Sequence, residues 1–368
     1  MRKLKLGIAG CGATVRYMYG PIMKYLENGE LVALADPDEK ALAWAQKMYG
    51  PKEAYFDYDE FLSNADIEAV IIGSPVYLHQ EQVIKAAQAG KHVLCEKPMA
   101  RTAAECDRMI EVCAQNRVTL MVAFMKRFDK SYLYAKQLID GGSLGQVFQV
   151  RCDWSWCQYG HGGWRDSLQT WGGIFQDHGS HTIDLCRWWM GEIHTVSGEV
   201  SILLEGRQVE DQAVAVLRHQ NGGVSIHHMT RMTHKPLNEY VLVDGSRASL
   251  EIQHGPGWSC SSIEPFSMKL YENGSRVTDI TRFNQWNLDE ELKANHRYKK
   301  ELEHFCDCIL NDKQPLVTGE DGKKAIEAIN AVYLSSYSGQ KVKLPLKQSP
   351  DLEKIFLELR SKGIKIYG

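Results

Sequence analysis

The chain lacks any apolar run long enough to cross a bilayer: nothing in its 368 residues approaches the ~18 consecutive apolar residues a spanning helix needs. The basic start, Arg2-Lys3, gives way to an apolar run that glycines interrupt within a few residues, which is too short for a signal peptide. A charge excess is also missing. With 43 Lys+Arg against 46 Asp+Glu and a net charge of -3, the composition excludes the strongly basic surface that nucleic acid or an acidic membrane would attract. The ten cysteines lack paired spacing, and Cys11, Cys95, Cys106, Cys113 and Cys186 sit in apolar stretches as small buried hydrophobes, consistent with a reducing, cytoplasmic setting. Cys152 with Cys157, and Cys306 with Cys308, come nearest to zinc pairs, but neither has the two-residue spacing of common zinc sites, so no metal is expected. Repeats and low-complexity segments are absent too. What remains is a chain with 44% hydrophobic residues, long enough for about two domains of ~100–200 residues each and a sizeable core.

From residue 4 to about 125, short apolar runs at 4–9, 31–35, 70–72, 92–95 and 120–124 alternate with amphipathic stretches at 15–26, 39–48, 78–89 and 102–116. Strands alternating with helices imply parallel βαβ units, so 1–126 is expected to be a doubly wound, Rossmann-type domain. After Arg127 a helix at 130–139 leads into β-type runs at 147–154, 195–204, 213–218, 224–230, 240–243, 249–252 and 269–272. Asn221-Gly222 and Asp244-Gly245 mark hairpin turns, which predicts a large, mainly antiparallel open sheet with the helix around 178–190 packed on one face. Helical patterns at 289–310, 322–338 and 351–361 complete an α/β chain with a second α+β domain over 127–345 and a helical tail over 346–368. Residues 255–290 show few clean periods.

Gly7-Ile8-Ala9-Gly10-Cys11-Gly12-Ala13-Thr14-Val15 follows the first strand and opens the first helix. Glycines in that place let backbone N–H groups approach a pyrophosphate at the positive helix end. Val15 stands where a third small residue is usual, so the helix is expected to sit higher or to start differently. Asp36, at the end of the second strand, is placed to bind adenosine ribose hydroxyls and would repel a 2′-phosphate, which favours NAD over NADP. Ser74-Pro75 and Glu96-Lys97-Pro98 end later strands, where carboxyl-end loops line the ligand crevice, and His79 either caps its helix or touches cofactor. Lys97 puts a cation where substrate and nicotinamide are expected to meet.

The segment Gln176-Asp177-His178-Gly179-Ser180-His181-Thr182-Ile183-Asp184 sets Asp177 and His181 four residues apart, on one face of a helix. An imidazole beside a carboxylate suits proton removal from an alcohol near neutral pH. His178, His181 and Asp184 within one helical segment make a poor tetrahedral metal site. Six of the nine tryptophans, Trp154, Trp156, Trp164, Trp171, Trp188 and Trp189, flank this segment. Flat rings with polar edges suit the apolar faces of a sugar. Trp188-Trp189 read as core. Trp164-Arg165, in the loop after His161-Gly162-Gly163, read as ligand contacts, with Asp153, Gln158 and Arg127 as further candidates for hydroxyl recognition.

Taken together with Ala89-Gly90-Lys91-His92-Val93-Leu94-Cys95-Glu96-Lys97-Pro98, Lys126-Arg127-Phe128-Asp129, Gly172-Gly173-Ile174-Phe175 before the Asp177 segment and Pro315-Leu316-Val317-Thr318-Gly319-Glu320-Asp321-Gly322, the chain resembles the glucose-fructose oxidoreductase and inositol dehydrogenase family over nearly its whole length. The resemblance implies a Rossmann domain followed by an α/β domain whose open sheet mediates homodimers or homotetramers. It also implies a Lys97–Pro98 bond that is often cis. The activity implied is hydride transfer between nicotinamide and a secondary hydroxyl or ketone of a sugar or cyclitol. By motif matching, Lys97, Asp177 and His181 form the catalytic trio: His181 is the base, Asp177 orients it and Lys97 stabilises charge on the reacting oxygen. The cofactor set is Gly10, Gly12, Ala13, Thr14, Val15, Asp36, Ser74, Pro75, His79, Glu96, Lys97 and Arg127. Lys97, Arg127, Asp153, Gln158, Trp164, Arg165, Asp177, His178 and His181 form the substrate set. Two alternatives stay open: transient oxidation by tightly held NAD that drives elimination or glycoside cleavage, and a non-catalytic NAD-binding sensor.

Overall fold

The computed structural model describes residues 2–158, 163–254, 266–281 and 296–365. They fall into two compact units, one made of 1–128 with 287–323 and the other of 129–286 with 324–368. This differs from the contiguous division at 126 read in the sequence. The chain returns to its first unit because the helix Arg297–Leu310 buries Leu302, Phe305 and Cys306 there, with Tyr298 edge-on to Tyr19 at 5.2 Å. Nor is 346–368 a separate tail: the helix Leu352–Arg360 buries Leu352, Ile355, Phe356 and Leu359, and Phe356 packs edge-on against Tyr333 at 5.0 Å.

The first unit is a parallel sheet of β1 (Leu4–Ala9), β2 (Gly29–Ala35), β3 (Glu53–Tyr55), β4 (Ala69–Ile72), β5 (His92–Cys95) and β6 (Leu120–Val122) in the order β3-β2-β1-β4-β5-β6. Its central strand β4 is apolar throughout, as a strand covered on both faces requires, and all four of its residues are buried. Crossovers begin and end where side chains can satisfy orphan backbone groups. Asp38 accepts from the Lys40 and Ala41 amides at the start of the helix Glu39–Tyr49, and Gly50 ends it in the left-handed region at φ 70°. β3 and the helix Tyr58–Asn64 are too short to show a period and are not legible in the sequence pattern. The strand order reverses at β1, whose neighbours are β2 and β4, so loops after β1 and β4 open a crevice at the carboxyl edge.

The second unit is built on β7 (Val147–Ser155), β8 (Ile193–Ser201), β9 (Gln212–His219), β10 (Val224–Thr230), β11 (Asn238–Gly245), β12 (Ala248–His254), β13 (Phe266–Glu272), β14 (Arg276–Asp279) and β15 (Val342–Lys343). They form one nine-stranded sheet in the order β14-β13-β12-β11-β7-β10-β9-β8-β15. Every neighbouring pair is antiparallel except β7 with β10, which is parallel. Burial alternates along β9, with Ala213, Ala215 and Leu217 inside and Val214 and Val216 exposed, so one face of the sheet is covered and the other open. The helix Ser180–Met190 lies on the covered face, where Trp154 of β7 meets the His181 ring at a centroid distance of 6.1 Å. The expected helix at 289–310 lies within the described residues only from 296 onward, and most of 255–290 lies outside them.

Candidate active site

In the first unit the glycine loop is shaped by close backbone approach. Gly10 has φ 94°, and a Cβ there would sit 2.7 Å from the Ser74 amide, so the turn tolerates only glycine. Gly12 is the opposite case: nothing lies within 4 Å of an added Cβ, and Gly12 and Ala13 are exposed, with Thr14 half-buried. An open, backbone-lined cradle at a helix start fits a pyrophosphate. Val15 enters a π-helical turn, Val15–Tyr19, before a single α-helical turn, Gly20–Met23. The helix therefore does start differently, with Val15 buried and packed near Gly73.

Asp36 follows β2 directly. Its Oδ2 accepts the Cys11 amide at 2.5 Å and its Oδ1 accepts the Asp38 amide at 2.8 Å, tying the carboxylate to the glycine loop. Pro75 precedes the helix Val76–Gln88, and the Ser74 hydroxyl donates to Gln82 Oε1 at 2.6 Å. His79 is buried between carbonyls, with Nε2 2.8 Å from Ser74 O and Nδ1 3.0 Å from Pro98 O. Burial lowers its pKa despite these carbonyls, so the neutral ring ties the loop after β4 to the loop after β5. That loop holds the cis Lys97–Pro98 bond. Glu96 is buried, accepting the Tyr19 hydroxyl at 2.7 Å on Oε1 and the Lys97 amide at 3.0 Å on Oε2.

Arg127 belongs to this unit and has structural bonds there: its guanidinium pairs with Asp321 at 3.0 Å and donates to the Leu316 carbonyl at 2.9 Å. Two of the sequence motifs, 126–129 and 315–322, thus meet through one ion pair.

In the second unit, Asp177 and His181 do not share one regular α-helix. Phe175–Gly179 is a π-helical turn that runs into Ser180–Met190, and such widened turns recur at functional sites. Both residues are buried, Asp177 at 3% and His181 at 2% exposure. Arg165 Nε donates to Asp177 Oδ2 at 3.0 Å, and His178 Nδ1 lies 3.3 Å from the same oxygen. Arg165 thereby bonds directly to the carboxylate of the expected proton-transfer pair. His178 also packs under Trp156, with ring centroids 4.4 Å apart, and Gln158 accepts from the Trp156 indole at 3.3 Å.

Asp153 is not brought to this place. Alternation along β7 turns it to the face opposite Trp154, where it pairs with His228 at 3.3 Å and with Asn238. His228, and to a lesser extent Asn238, hold its carboxyl below the usual range. The side chain of Trp164 lies outside the described residues. Trp189 packs in the core beside Tyr132 at 5.8 Å.

Behind Asp177 lies a buried charged network that sequence reasoning missed. Arg207 pairs with Asp166 at 3.2 Å and Asp211 at 3.3 Å, Arg231 reaches Asp166 at 3.4 Å, and Glu210 receives the Tyr333 hydroxyl at 2.7 Å. Arg207, Glu210 and Asp211 are close in sequence, but only the fold brings Asp166, Arg231 and Tyr333 to them.

One buried trio among the described residues, Cys152, Cys186 and His227, has metal-ligand chemistry with its donor atoms within 4.8 Å of one another. It supplies three donors where zinc takes four, and both His227 nitrogens are already bonded, to Thr182 Oγ1 at 2.9 Å and Ser225 Oγ at 3.0 Å. Cys157, by contrast, is exposed.

Two family models match the chain: an oxidoreductase family's NAD-binding Rossmann fold over residues 4–124, and the same family's C-terminal alpha/beta domain over 136–344. The chain belongs to that oxidoreductase family. It is an NAD(P)-dependent oxidoreductase whose first unit is an NAD-binding Rossmann domain, and the open Gly12 cradle and Asp36 fit that cofactor. Among its relatives, the myo-inositol 2-dehydrogenase of Thermotoga maritima is 28% identical over 96% of this chain and 99% of its own. The 2,7-anhydro-N-acetylneuraminate hydratase of Mediterraneibacter gnavus is 28% identical over 88% of this chain and 92% of its own. An aldose-aldose oxidoreductase of Caulobacter crescentus, solved with glycerol, superposes with a TM-score of 0.82 at 27% identity, covering 93% of this chain and all of that one. The names of these relatives refer to an inositol, an anhydro sugar acid and aldoses. No helix among the described residues is long and apolar enough to cross a membrane.

Proposed function

We propose that this oxidoreductase oxidises a secondary hydroxyl of a sugar, sugar derivative or inositol, or reduces the matching ketone, with His181 as the proton acceptor. The observation that carries the proposal is the setting of His181: a buried imidazole against the Trp154 ring, one turn from an Asp177 carboxylate whose charge is held by Arg165. Bound NAD supplies the hydride acceptor. The chain's own residues handle the proton and the alignment. His181 takes the hydroxyl proton, Asp177 favours the imidazolium that results, and Lys97 hydrogen-bonds the reacting oxygen and stabilises its growing negative charge. Gly10, Gly12, Ala13, Thr14 and Val15 form the pyrophosphate cradle, and Asp36 takes the ribose hydroxyls.

Trp156 and His178, packed at a tilt beside Asp177, form the wall against which a sugar face packs, with Gln158 and Arg165 as neighbouring polar contacts. The exposed Val214 and Val216, with His228 and Asp153 beside them on the open sheet face, are the surface through which two or four copies associate in the cytoplasm. Purified protein with NAD, screened against inositols, aldoses and glycosides at the NADH absorbance, tests the reading. Turnover of none of these classes in either direction refutes it.

The hydratase relative favours one second reading. Hydration involves no net oxidation, so a member of this fold need not release reduced cofactor. Product formation from an anhydro sugar or glycoside, with NAD copurifying and no NADH accumulating, selects that reading over net dehydrogenation.

A further inference from the structure

The turn that carries Asp177 is held by a residue from a distant part of the chain. A helix start leaves backbone N–H groups without intrahelical partners, and the residue preceding this one, Ile174, offers no side-chain cap. Glu210, just before β9, supplies what is missing. Its backbone carbonyl accepts the Ile174 amide at 3.1 Å, and its Oε1 accepts the Phe175 amide at 2.9 Å and the Gln176 amide at 3.4 Å. The same oxygen receives the Tyr333 hydroxyl at 2.7 Å, so the carboxyl is itself fixed by the helix Gly319–Ser338. Gly173 completes the grip: it has φ 106°, and a Cβ there would meet Glu210 Oε2 at 2.3 Å, so glycine alone lets the carboxyl lie this close. Asp177 then begins the helix by donating its amide to the Gly173 carbonyl at 3.0 Å.

We infer that Glu210 is a positioning residue for proton transfer: its carboxyl, held by Tyr333, fixes the Gly173–Gln176 turn and through it the placement of Asp177 and His181. The inference rests on the proposed role of that pair. Once ionised, the carboxylate at this helix end also offsets the positive field of the helix start, which otherwise disfavours a protonated His181.

Burial makes Glu210 responsive to pH. Burial pushes its carboxyl up to about 7, against the opposing pull of the Tyr333 hydroxyl, the Phe175 amide and Arg231. Oε2 has no hydrogen-bond partner among the described residues, which leaves a place for that proton. The groups around it are Tyr333, Arg231 beyond β10, and Arg207 and Asp211 on its own stretch of chain; Asp166 bridges the two arginines, and Asp177 interacts with Arg231 from the other side. The folded-state pKa is raised, so this group's contribution to stability is full below the ordinary carboxylate range and is lost as pH rises through about 7.

The test compares Glu210→Ala with Glu210→Gln in the full chain. Gln keeps an oxygen that can accept the backbone amides and the Tyr333 hydroxyl but cannot ionise; Ala removes the cap. The expected result is a kcat loss of about tenfold or more in Ala, with Kd for NAD unchanged, and recovery of most of that kcat in Gln. Gln should also lack the component of the wild-type kcat and melting-temperature profiles that titrates near neutrality. Wild-type kcat in the Ala variant, or Gln no better than Ala, overturns the inference. A readout independent of turnover separates this from the proposed reaction: the histidine NMR signal assigned by its loss in His181→Asn should titrate at lower pH in Glu210→Gln. An unmoved signal in both variants refutes the positioning role. A moved signal in a protein that oxidises no sugar keeps it and refutes the reaction instead.

Discussion

The two units build their candidate residues by different means, the cofactor half of the set in the first unit and the proposed proton-transfer half in the second. The cofactor half is made of backbone: Gly10 and Gly12 shape a loop, Asp36 ties that loop by the Cys11 amide, and all lie within one βαβ unit. The proton-transfer half is made of side chains brought from far apart, with Arg165, Arg231, Glu210 and Tyr333 surrounding a turn that is only five residues long. Backbone sites depend on steric room and survive most changes around them. Side-chain sites depend on charge balance, and removing one member leaves its partners buried and unmatched.

The largest effect expected from that contrast is His181→Ala. It should lower kcat by ~10²–10⁴-fold while titration with NAD, followed by calorimetry, shows unchanged affinity. Loss of NAD binding in parallel would mean that the two halves are not separable in this way. Next is Arg207→Ala, which removes the ion-pair partner of Asp211 and leaves Asp166 only Arg231, in the core where the Arg207 side chain is fully buried. Breaking such a pair costs ~3–5 kcal/mol, seen as a lower denaturant midpoint, whereas an exposed pair such as Lys85 with Asp59 costs under ~1 kcal/mol.

Within the cofactor half, Asp36→Ala removes the expected partner of the ribose hydroxyls. NAD affinity should fall by roughly 10–100-fold, the worth of a charged hydrogen bond, and discrimination against NADP should narrow. Unchanged NAD affinity would remove Asp36 from the cofactor site. The smallest effect on the apoprotein separates two glycines that look alike in sequence. Gly10→Ala must strain a backbone at φ 94° and push on Ser74, at a cost of about 1–3 kcal/mol in stability. Gly12→Ala meets nothing and should leave the melting temperature within a degree or so of wild type, while weakening NAD binding by filling the cradle. Equal destabilisation by both would show that the loop is not shaped as described.

Much of the cofactor half was legible because its determinants are local. The alternation of apolar runs and amphipathic stretches located five of the six parallel strands, and the glycine spacing located the loop between the first strand and the first helix. The missing strand, β3, has three half-buried residues and no period to read. Asp177 and His181 were legible as a pair through their four-residue spacing. Their support was not: nothing in Val209-Glu210-Asp211 announces that Glu210 caps a turn that begins 37 residues earlier at Gly173. Asp153 shows the converse: it reads in the sequence as a polar candidate for hydroxyl recognition, but on a strand adjacent residues face opposite ways, and it pairs with His228 on the face opposite Trp154.

By itself, then, the sequence determined the class of each unit, the glycine loop with its acidic partner, and the candidates proposed for proton transfer, because each is written in residues a few positions apart. Tertiary structure alone decided which side chains hold that pair, that Arg127 is bonded to Asp321, that residues 287–323 rejoin the first unit, and that the turn at Phe175 widens into a π-helix. Those features depend on contacts between residues tens to hundreds of positions apart, and buried charges find their partners only when the fold removes water from between them.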